Sequence, residues 1–176
     1  SAASVGLATP LQSVSHIAIY LACHASTDWE LPGRAHHGGR QFLEGIMKLS
    51  ELRRRGSDGF GSGHFGAFRG SRTHKGVDLL ADSGEVIESP VTGTVTKLGY
   101  PYGNDLSYRY VQIPAGDYDF RVFYVDPSVR VGQEVAADTA IGLAQDLGRR
   151  YPGIPNHVHF EIKKDGAYLD PTPTLI

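Results

Sequence analysis

The feature that most constrains the fold is a series of short apolar segments, separated by glycine- and proline-containing turns, that begins after Gly56. Seven of these segments have the length and composition of β-strands. Because no helical segments alternate with them, the pattern predicts a mainly β fold whose strands pair antiparallel, in a sheet that closes or folds on itself. The predicted strands cover residues 77–80, 85–88, 92–98, 108–113, 120–125, 140–143 and 157–162.

The first 58 residues have a different pattern. Apolar residues recur at three- and four-residue spacing over residues 11–22 and again over residues 42–52, and the second run ends in three arginines and Gly56. This spacing predicts two helices. We therefore predict a helical N-terminal segment of unknown role (1–58) followed by a β-rich domain (59–176), which suits a chain of 176 residues.

Charge and hydropathy exclude two classes of protein. The net charge is −2 and the pI about 6.4, whereas a nucleic-acid-binding domain is usually strongly basic. The longest apolar run, residues 17–23, is too short to cross a bilayer. We expect no nucleic-acid partner and no membrane insertion. We identify no targeting segment, and since the sequence starts with Ser, a leader or an upstream domain can be missing. The oligomeric state stays open.

The predicted strand 157–162 alternates polar and apolar side chains without a break. Because side chains alternate along a strand, His157, His159 and Glu161 project to one face, and the apolar residues between them project into the core. Two imidazoles on one face can serve a single metal ion, one as a ligand and the other through the bound water. The alternative is a pair of hydrogen-bonded sheet histidines.

A second pair of potential ligands precedes this strand. His74 and Asp78 share a face whether their segment is extended or helical, and Gly76 between them leaves the approach open. Each short motif alone is weak, but their conjunction favours a metal. Two histidines and a carboxylate leave the fourth tetrahedral position of zinc to water, which is the arrangement of catalytic sites.

The chemistry of such a site is amide hydrolysis. Bound zinc lowers the pKa of water and polarises a carbonyl group. We predict that His74, Asp78 and His159 bind Zn²⁺, and that His157 takes the proton of water and returns it to the leaving amine.

Several motifs, in order, resemble those of the lysostaphin/LytM-type zinc metallopeptidases. They include Arg-Thr-His-Lys-Gly-Val-Asp at 72–78, the segment 84–95, His-Val-His-Phe-Glu at 157–161 and Asp-Pro at 170–171, within a resemblance that spans residues 61–173. The resemblance implies an antiparallel fold of the duplicated hybrid motif type, a groove across the sheet, and cleavage of peptide cross-links or stem peptides in bacterial cell walls. It also implies the same zinc ligands and a catalytic His157.

Residues 65–78, 101–104, 122–125 and 151–154 resemble a chemotaxin-like branch of the family. Its vertebrate member is regarded as a secreted signalling factor without peptidase activity. Peptidases of the family usually carry a second catalytic histidine in a Tyr-x-His-Leu strand, and here Tyr124 takes that position. A phenol can donate a hydrogen bond to an oxyanion, so Tyr124 is the second candidate catalytic residue. The alternative is a sheet aromatic beside an inert zinc.

The expected function is a zinc-dependent peptidoglycan hydrolase, an endopeptidase on cross-links or stem peptides, with bacterial peptidoglycan as its partner. It would act outside the cytoplasm, secreted or periplasmic, as an antibacterial effector or a phage lytic enzyme. One alternative is a catalytically inactive, zinc-stabilised module that binds a wall fragment or a receptor. Another is an amidase that cuts the sugar–peptide bond with the same chemistry.

Four further features allow more than one interpretation. His64 lines the groove or is a loop residue, and Glu161 orients a zinc ligand or lies in solvent. The N-terminal segment packs over the groove and inhibits the site through one of its potential ligands, or it is the tail of another domain or a docking element. A group of tyrosines forms a binding wall or consists of ordinary strand aromatics. The residues concerned are Cys23, His24, His36 and His37 in the segment, and Tyr100, Tyr102, Tyr108 and Tyr110 in the wall.

Overall fold

The computed structural model describes residues 46–175, which form short strands and two single-turn 3-10 helices (Leu147–Arg149 and Thr172–Thr174). No helix within this range is long and apolar enough to cross a membrane. The strands are β1 (Ile46–Met47), β2 (Ser57–Asp58), β3 (Gly61–Ser62), β4 (Val77–Leu80), β5 (Val86–Glu88), β6 (Gly93–Thr94), β7 (Lys97–Gly99), β8 (Tyr110–Ala115), β9 (Tyr118–Phe123), β10 (Val125–Pro127), β11 (Glu134–Val135), β12 (Ala140–Ala144), β13 (His157–Lys164) and β14 (Ala167–Leu169).

The largest sheet is built around β13. Its strand order is β14-β13-β9-β8-β7, and β4 lies beside the first half of β13. All of these pairs are antiparallel, so the predicted fold class is confirmed for the described residues. The long central strand therefore brings β4 and β9 to its two sides.

A second sheet has the order β1-β5-β12-β10, and two ribbons, β11-β6 and β2-β3, complete the fold. In this sheet β1 pairs with β5 in parallel, while the other two pairs are antiparallel. The core contains the apolar face of β13, where Val158, Phe160 and Ile162 are at most 2% exposed. This is the face that the alternating pattern predicts for them.

Each of the seven predicted strands overlaps an observed strand. Two predicted strands are interrupted. The segment 92–98 divides into β6 and β7, and the segment 120–125 divides into β9 and β10 at Tyr124. The second interruption shapes the functional site described below.

The helix predicted over residues 42–52 is wrong where the structure describes it. Ile46–Met47 is a strand, and the amides of Glu51 and Leu52 both donate to the Lys48 carbonyl, which makes a single turn. Leu49 and Leu52 are buried in the core, 4% and 6% exposed. Their three-residue spacing therefore reflects burial of one turn. The rest of this segment and the helix predicted over 11–22 lie outside the described residues.

The backbone after this turn positions β4. The amide of Arg55 donates to the Asp78 carbonyl at 2.8 Å, the amide of Leu80 to Arg53 at 2.7 Å, and the amide of Asp78 to Gly63 at 2.8 Å. Strand β4 is thus hydrogen-bonded along both edges, to β13 on one side and to these segments on the other. The domain boundary between residues 58 and 59 stays a prediction, and these contacts favour an earlier start.

Candidate metal centre

Three potential ligands meet where β4 and β13 pair. Asp78 of β4 lies directly opposite His159 of β13, and His74 lies in the loop that enters β4. The atoms His74 Nε2, Asp78 Oδ1 and His159 Nδ1 form a triangle with edges of 2.9, 2.9 and 3.1 Å. The structure therefore brings together the three residues predicted as zinc ligands, and we call them the metal triad.

Glycine is required between the first two members of this triad. A Cβ at Gly76 would lie 2.1 Å from the Phe160 carbonyl oxygen and 2.9 Å from two ring atoms of His159. Any side chain there would push the loop away from β13. The close approach of His74 and Asp78 to His159 depends on this residue.

The remaining ring nitrogens of the two triad histidines are engaged with acceptors. His74 Nδ1 lies 2.8 Å from the carbonyl oxygen of His64, and His159 Nε2 lies 3.2 Å from Glu161 Oε1. Since a neutral imidazole carries one proton, a proton on the nitrogen that faces away from the triad leaves the inner nitrogen free to act as a ligand. Two such nitrogens and a carboxylate oxygen facing one another form an arrangement that a cation stabilises.

These residues fit zinc. Ligands about 2.0–2.2 Å from a tetrahedral zinc ion lie about 3.3 Å apart, close to the edges of the triangle. Burial acts to lower the pKa of His159, but hydrogen bonding and charge from Asp78 and Glu161 together outweigh it and raise the pKa. This environment favours a positive charge at the triad, which a divalent cation supplies.

The Asp78 carboxyl is buried and surrounded by cationic groups. Its Oδ2 lies 3.5 Å from Arg55 Nε and 3.6 Å from Arg69 Nη2. Burial alone would raise the pKa of Asp78, but the rings of His159, His74 and His157 outweigh it and hold the pKa well below its usual range. The carboxylate is therefore ionised and fixed in orientation. No sequence motif pointed to Arg55 or Arg69.

His157 lies on the same face of β13, one strand repeat before His159. Its Nδ1 donates to the Pro155 carbonyl oxygen at 2.7 Å, which leaves Nε2 without a proton, 3.7 Å from Asp78 Oδ2. Burial is the main cause that lowers the pKa of His157. The free Nε2 can accept a proton beside the metal triad.

Tyr124 interrupts the strand that was predicted across it. Its φ is 64°, a left-handed conformation that is uncommon for a bulky residue and that clusters at functional sites. The Tyr124 amide donates to Arg109 and its carbonyl accepts from Gln145, both at 2.8 Å. Its ring stands edge-on to His157, with centroids 5.9 Å apart. Tyr124, which is predicted to replace the second catalytic histidine, thus lies next to His157, the first.

The metal triad, His157 and Tyr124 line one cleft of about 420 Å³. Of the four tyrosines predicted as a binding wall, only Tyr102 lines it, whereas Tyr100 lies partly exposed beneath Arg109 and Tyr110 packs on Phe123. Tyr151 also lines the cleft and was missed as a site residue. The full set is Arg55, Phe60, Arg69, Arg72, Thr73, His74, Lys75, Asp78, Pro101, Tyr102, Phe123, Tyr124, Leu147, Tyr151, Ile154, His157, His159 and Glu161.

His64 and Glu161 both contact the metal triad. His64 does so through its carbonyl, while its exposed ring pairs with the Ser62 hydroxyl. Glu161 is 7% exposed, so it does not lie in solvent. The four potential ligands predicted in the N-terminal segment (Cys23, His24, His36 and His37) lie outside the described residues.

Comparisons with known proteins find one matching family model, several relatives and several similar folds. The family model for Peptidase family M23 matches residues 72–171. Leukocyte cell-derived chemotaxin-2 from Bos taurus is 32% identical over 105 residues, which cover 59% of this chain and 69% of that protein. The fold is similar to the catalytic domain of the antimicrobial peptidase lysostaphin from Staphylococcus simulans, with a TM-score of 0.57 and 21% identity over 72% of this chain and 94% of that one.

Some similar proteins are much longer. The match to Csd3 of Helicobacter pylori has a TM-score of 0.48 and 24% identity, and it covers 60% of this chain but only 28% of that one. Such proteins extend well beyond the part that is similar.

Proposed function

The chain belongs to peptidase family M23, and from this membership we propose that it is a zinc-dependent hydrolase that cleaves peptide bonds in bacterial peptidoglycan. The observation that carries the proposal is the metal triad, in which three potential ligand atoms lie within 3.1 Å of one another. His74, Asp78 and His159 would hold the ion. Zinc at this position would act as a Lewis acid and would make water nucleophilic at neutral pH.

His157 is the proposed general base and acid. Its Nε2 accepts the proton of the attacking water and returns it to the amine nitrogen as the C–N bond breaks. The hydrogen bond from Nδ1 to Pro155 fixes the ring in the tautomer that this step needs. Tyr124, beside His157, donates a hydrogen bond to the carbonyl oxygen as that oxygen gains negative charge.

The location and biological role follow from the substrate. Peptidoglycan lies outside the cytoplasm, so we propose that the protein acts there. Similarity to the catalytic domain of an antimicrobial peptidase supports an antibacterial or lytic role. The interpretation of residues 1–58 as an inhibitory segment stays a prediction.

The second candidate function is a zinc-stabilised binding module without turnover. Two observations favour it: Tyr124 stands where family peptidases usually carry a second histidine, and 105 residues of the chain are 32% identical to chemotaxin-2. Such a module would keep the metal triad for stability and use the cleft to bind a wall fragment or a receptor.

The decisive experiment is incubation of purified sacculi with the zinc-loaded protein, followed by mass analysis of the soluble fragments. We expect new amino termini, abolished by a chelator and restored by zinc. Release of intact stem peptides would instead indicate an amidase. Binding to sacculi without any release, unchanged when His157 is replaced by Gln, would exclude the hydrolase and favour the module.

A further inference from the structure

Three tyrosine hydroxyls in the cleft lie in a row. The hydroxyl oxygens of Tyr124 and Tyr102 are 2.9 Å apart, and those of Tyr102 and Tyr151 are 3.1 Å apart. At the far end, Nε of Arg150 lies 3.2 Å from the Tyr151 hydroxyl. These four side chains form a continuous hydrogen-bonded chain, which we call the tyrosine relay, from a partly exposed arginine to the neighbour of His157.

The relay has a direction because its first member can only donate. A guanidinium has no acceptor, so Arg150 donates to Tyr151, and each phenol has a single proton to pass on. The geometry makes Tyr151 the donor to Tyr102. Within the described residues, Tyr124 is the only acceptor left for the Tyr102 proton.

With this direction of donation, the hydroxyl proton of Tyr124 takes no part in the relay. Its oxygen accepts from Tyr102, and the described residues offer its own O–H no other hydrogen-bond partner. Burial raises the pKa of Tyr124 to about 12, so the group stays protonated at neutral pH. A donor without a partner is thus presented in the cleft that also contains the metal triad.

The origin of the relay is fixed in place. Nη1 of Arg150 lies 3.3 Å from Asp105 Oδ2, and the guanidinium carbon stacks 3.9 Å from the centre of the Tyr102 ring. The Asp105 carboxylate also accepts from the Ser107 hydroxyl at 2.6 Å. A cation held at one end of a hydrogen-bonded chain polarises every bond along it toward the other end.

We propose that Arg150, Tyr151 and Tyr102 are positioning residues that orient the Tyr124 hydroxyl as a hydrogen-bond donor to an anionic oxygen in the cleft. The proposal rests on the proposed function, in which that oxygen belongs to the tetrahedral intermediate of peptide hydrolysis. It extends the catalytic apparatus to three residues that do not touch the substrate's reacting atoms themselves.

The test measures anion binding as well as turnover. Inorganic phosphate, a tetrahedral anion, is titrated into the zinc-loaded full chain by calorimetry, for wild type and for Tyr102→Phe, Tyr151→Phe and Arg150→Met. We expect affinity to fall about tenfold for the two tyrosine variants and about threefold for Arg150→Met, because each loses preorganisation of one donor. With soluble cross-linked wall peptides, kcat should fall by similar factors while KM stays unchanged.

The matched control is Tyr108→Phe. The Tyr108 ring packs edge-on against both Tyr102 and Tyr124, but its hydroxyl donates to the Asp146 carbonyl and takes no part in the relay. We expect wild-type phosphate affinity and kcat for this variant. Arg150→Met leaves all three phenols in place, so it tests the relay even where a tyrosine variant fails to fold.

The outcomes separate the relay from the hydrolytic function. Wild-type protein that does not cleave peptides, yet binds phosphate in a manner sensitive to Tyr151, would overturn the function and keep the relay. Active protein in which Tyr151→Phe and Arg150→Met bind phosphate and turn over like wild type would overturn the relay alone. No measurable binding of phosphate to the zinc-loaded wild type would also overturn it.

Discussion

The cleft contains two groups of side chains that are held in different ways. The histidine group (His74, Asp78, His157 and His159) lies on two paired strands and the loop that enters one of them, with His159 opposite Asp78 by strand register. The tyrosine group (Tyr102, Tyr124 and Tyr151) comes from loops and a strand interruption, and hydroxyl-to-hydroxyl bonds connect it. Strand pairing positions most of the first group, whereas contacts between loops and hydroxyl-to-hydroxyl bonds position the second.

From this difference we infer that substitutions can change zinc binding and turnover separately. The paired strands hold the metal triad, whereas the loops hold Tyr124, the proposed hydrogen-bond donor to the substrate. The proposed hydrolase and the alternative inactive module would therefore share the metal triad and differ in the loops. Variants in each group should affect different measurements.

The largest effect is expected from the centre of the histidine group. Asp78→Asn removes the negative charge among the three ligand atoms, and zinc affinity should fall by more than about a thousandfold, with activity lost. Elemental analysis after gel filtration measures the bound zinc. The exposed Asp126→Asn serves as control. Stoichiometric zinc in Asp78→Asn would show that the triad is not the site.

The second-largest effect is expected at His157, the member of the histidine group that is not a proposed zinc ligand. His157→Gln should keep full zinc content but lower kcat by about 10²–10⁴, because it removes the proposed general base and none of the proposed zinc ligands. The control is His64→Gln, whose ring is exposed and whose carbonyl, the group that contacts His74, is unchanged. Equal rates for His157→Gln and wild type would remove the proposed role of His157.

The tyrosine group should respond in turnover and not in metal content. Tyr124→Phe keeps the ring beside His157 and deletes only the hydroxyl, so kcat should fall about 100-fold, as for loss of one oxyanion donor. Zinc content and KM should stay at wild-type values. An unaltered kcat would exclude Tyr124 as a hydrogen-bond donor in the reaction. Its remaining role would be that of an aromatic side chain that packs beside the site.

The same difference explains what could be predicted from the sequence. The alternation of residues 157–162 specifies which side chains share a face, and the structure confirms the core positions of Val158, Phe160 and Ile162. Family membership is also confirmed, since the family model matches residues 72–171, which contain the motifs that predicted it. Period-two patterns and short motifs carry this information locally.

The sequence points to Tyr124 and Tyr102 singly, but it does not predict how the tyrosine group is held together. No glycine or proline near Tyr124 indicates that its backbone is left-handed. That conformation is held by backbone hydrogen bonds to Arg109 and Gln145, which are distant in the sequence. Tyr151 meets Tyr102 across 49 positions of the chain. The misassigned helix has a similar origin, because Leu49 and Leu52 face a core made by other segments. Contacts between loops leave no periodic signal.

The smallest effect is expected at Glu161, which contacts His159 of the histidine group and is not itself a proposed zinc ligand. Glu161 accepts from His159 Nε2 through Oε1, while its buried Oε2 has no hydrogen-bond partner within the described residues and lies 3.8 Å from Arg121 Nη1. Glu161→Gln can keep the hydrogen bond through its carbonyl oxygen but loses the charge that makes the imidazole a stronger ligand. Zinc affinity, measured by competition with a chromogenic chelator, should therefore fall about tenfold.

The control is Glu134→Gln. Glu134 is exposed and lies on the ribbon strand β11, so this variant should match wild type. If both variants hold zinc equally well, the Glu161 charge does not tune the site, and the strand register alone sets the affinity of the histidine group.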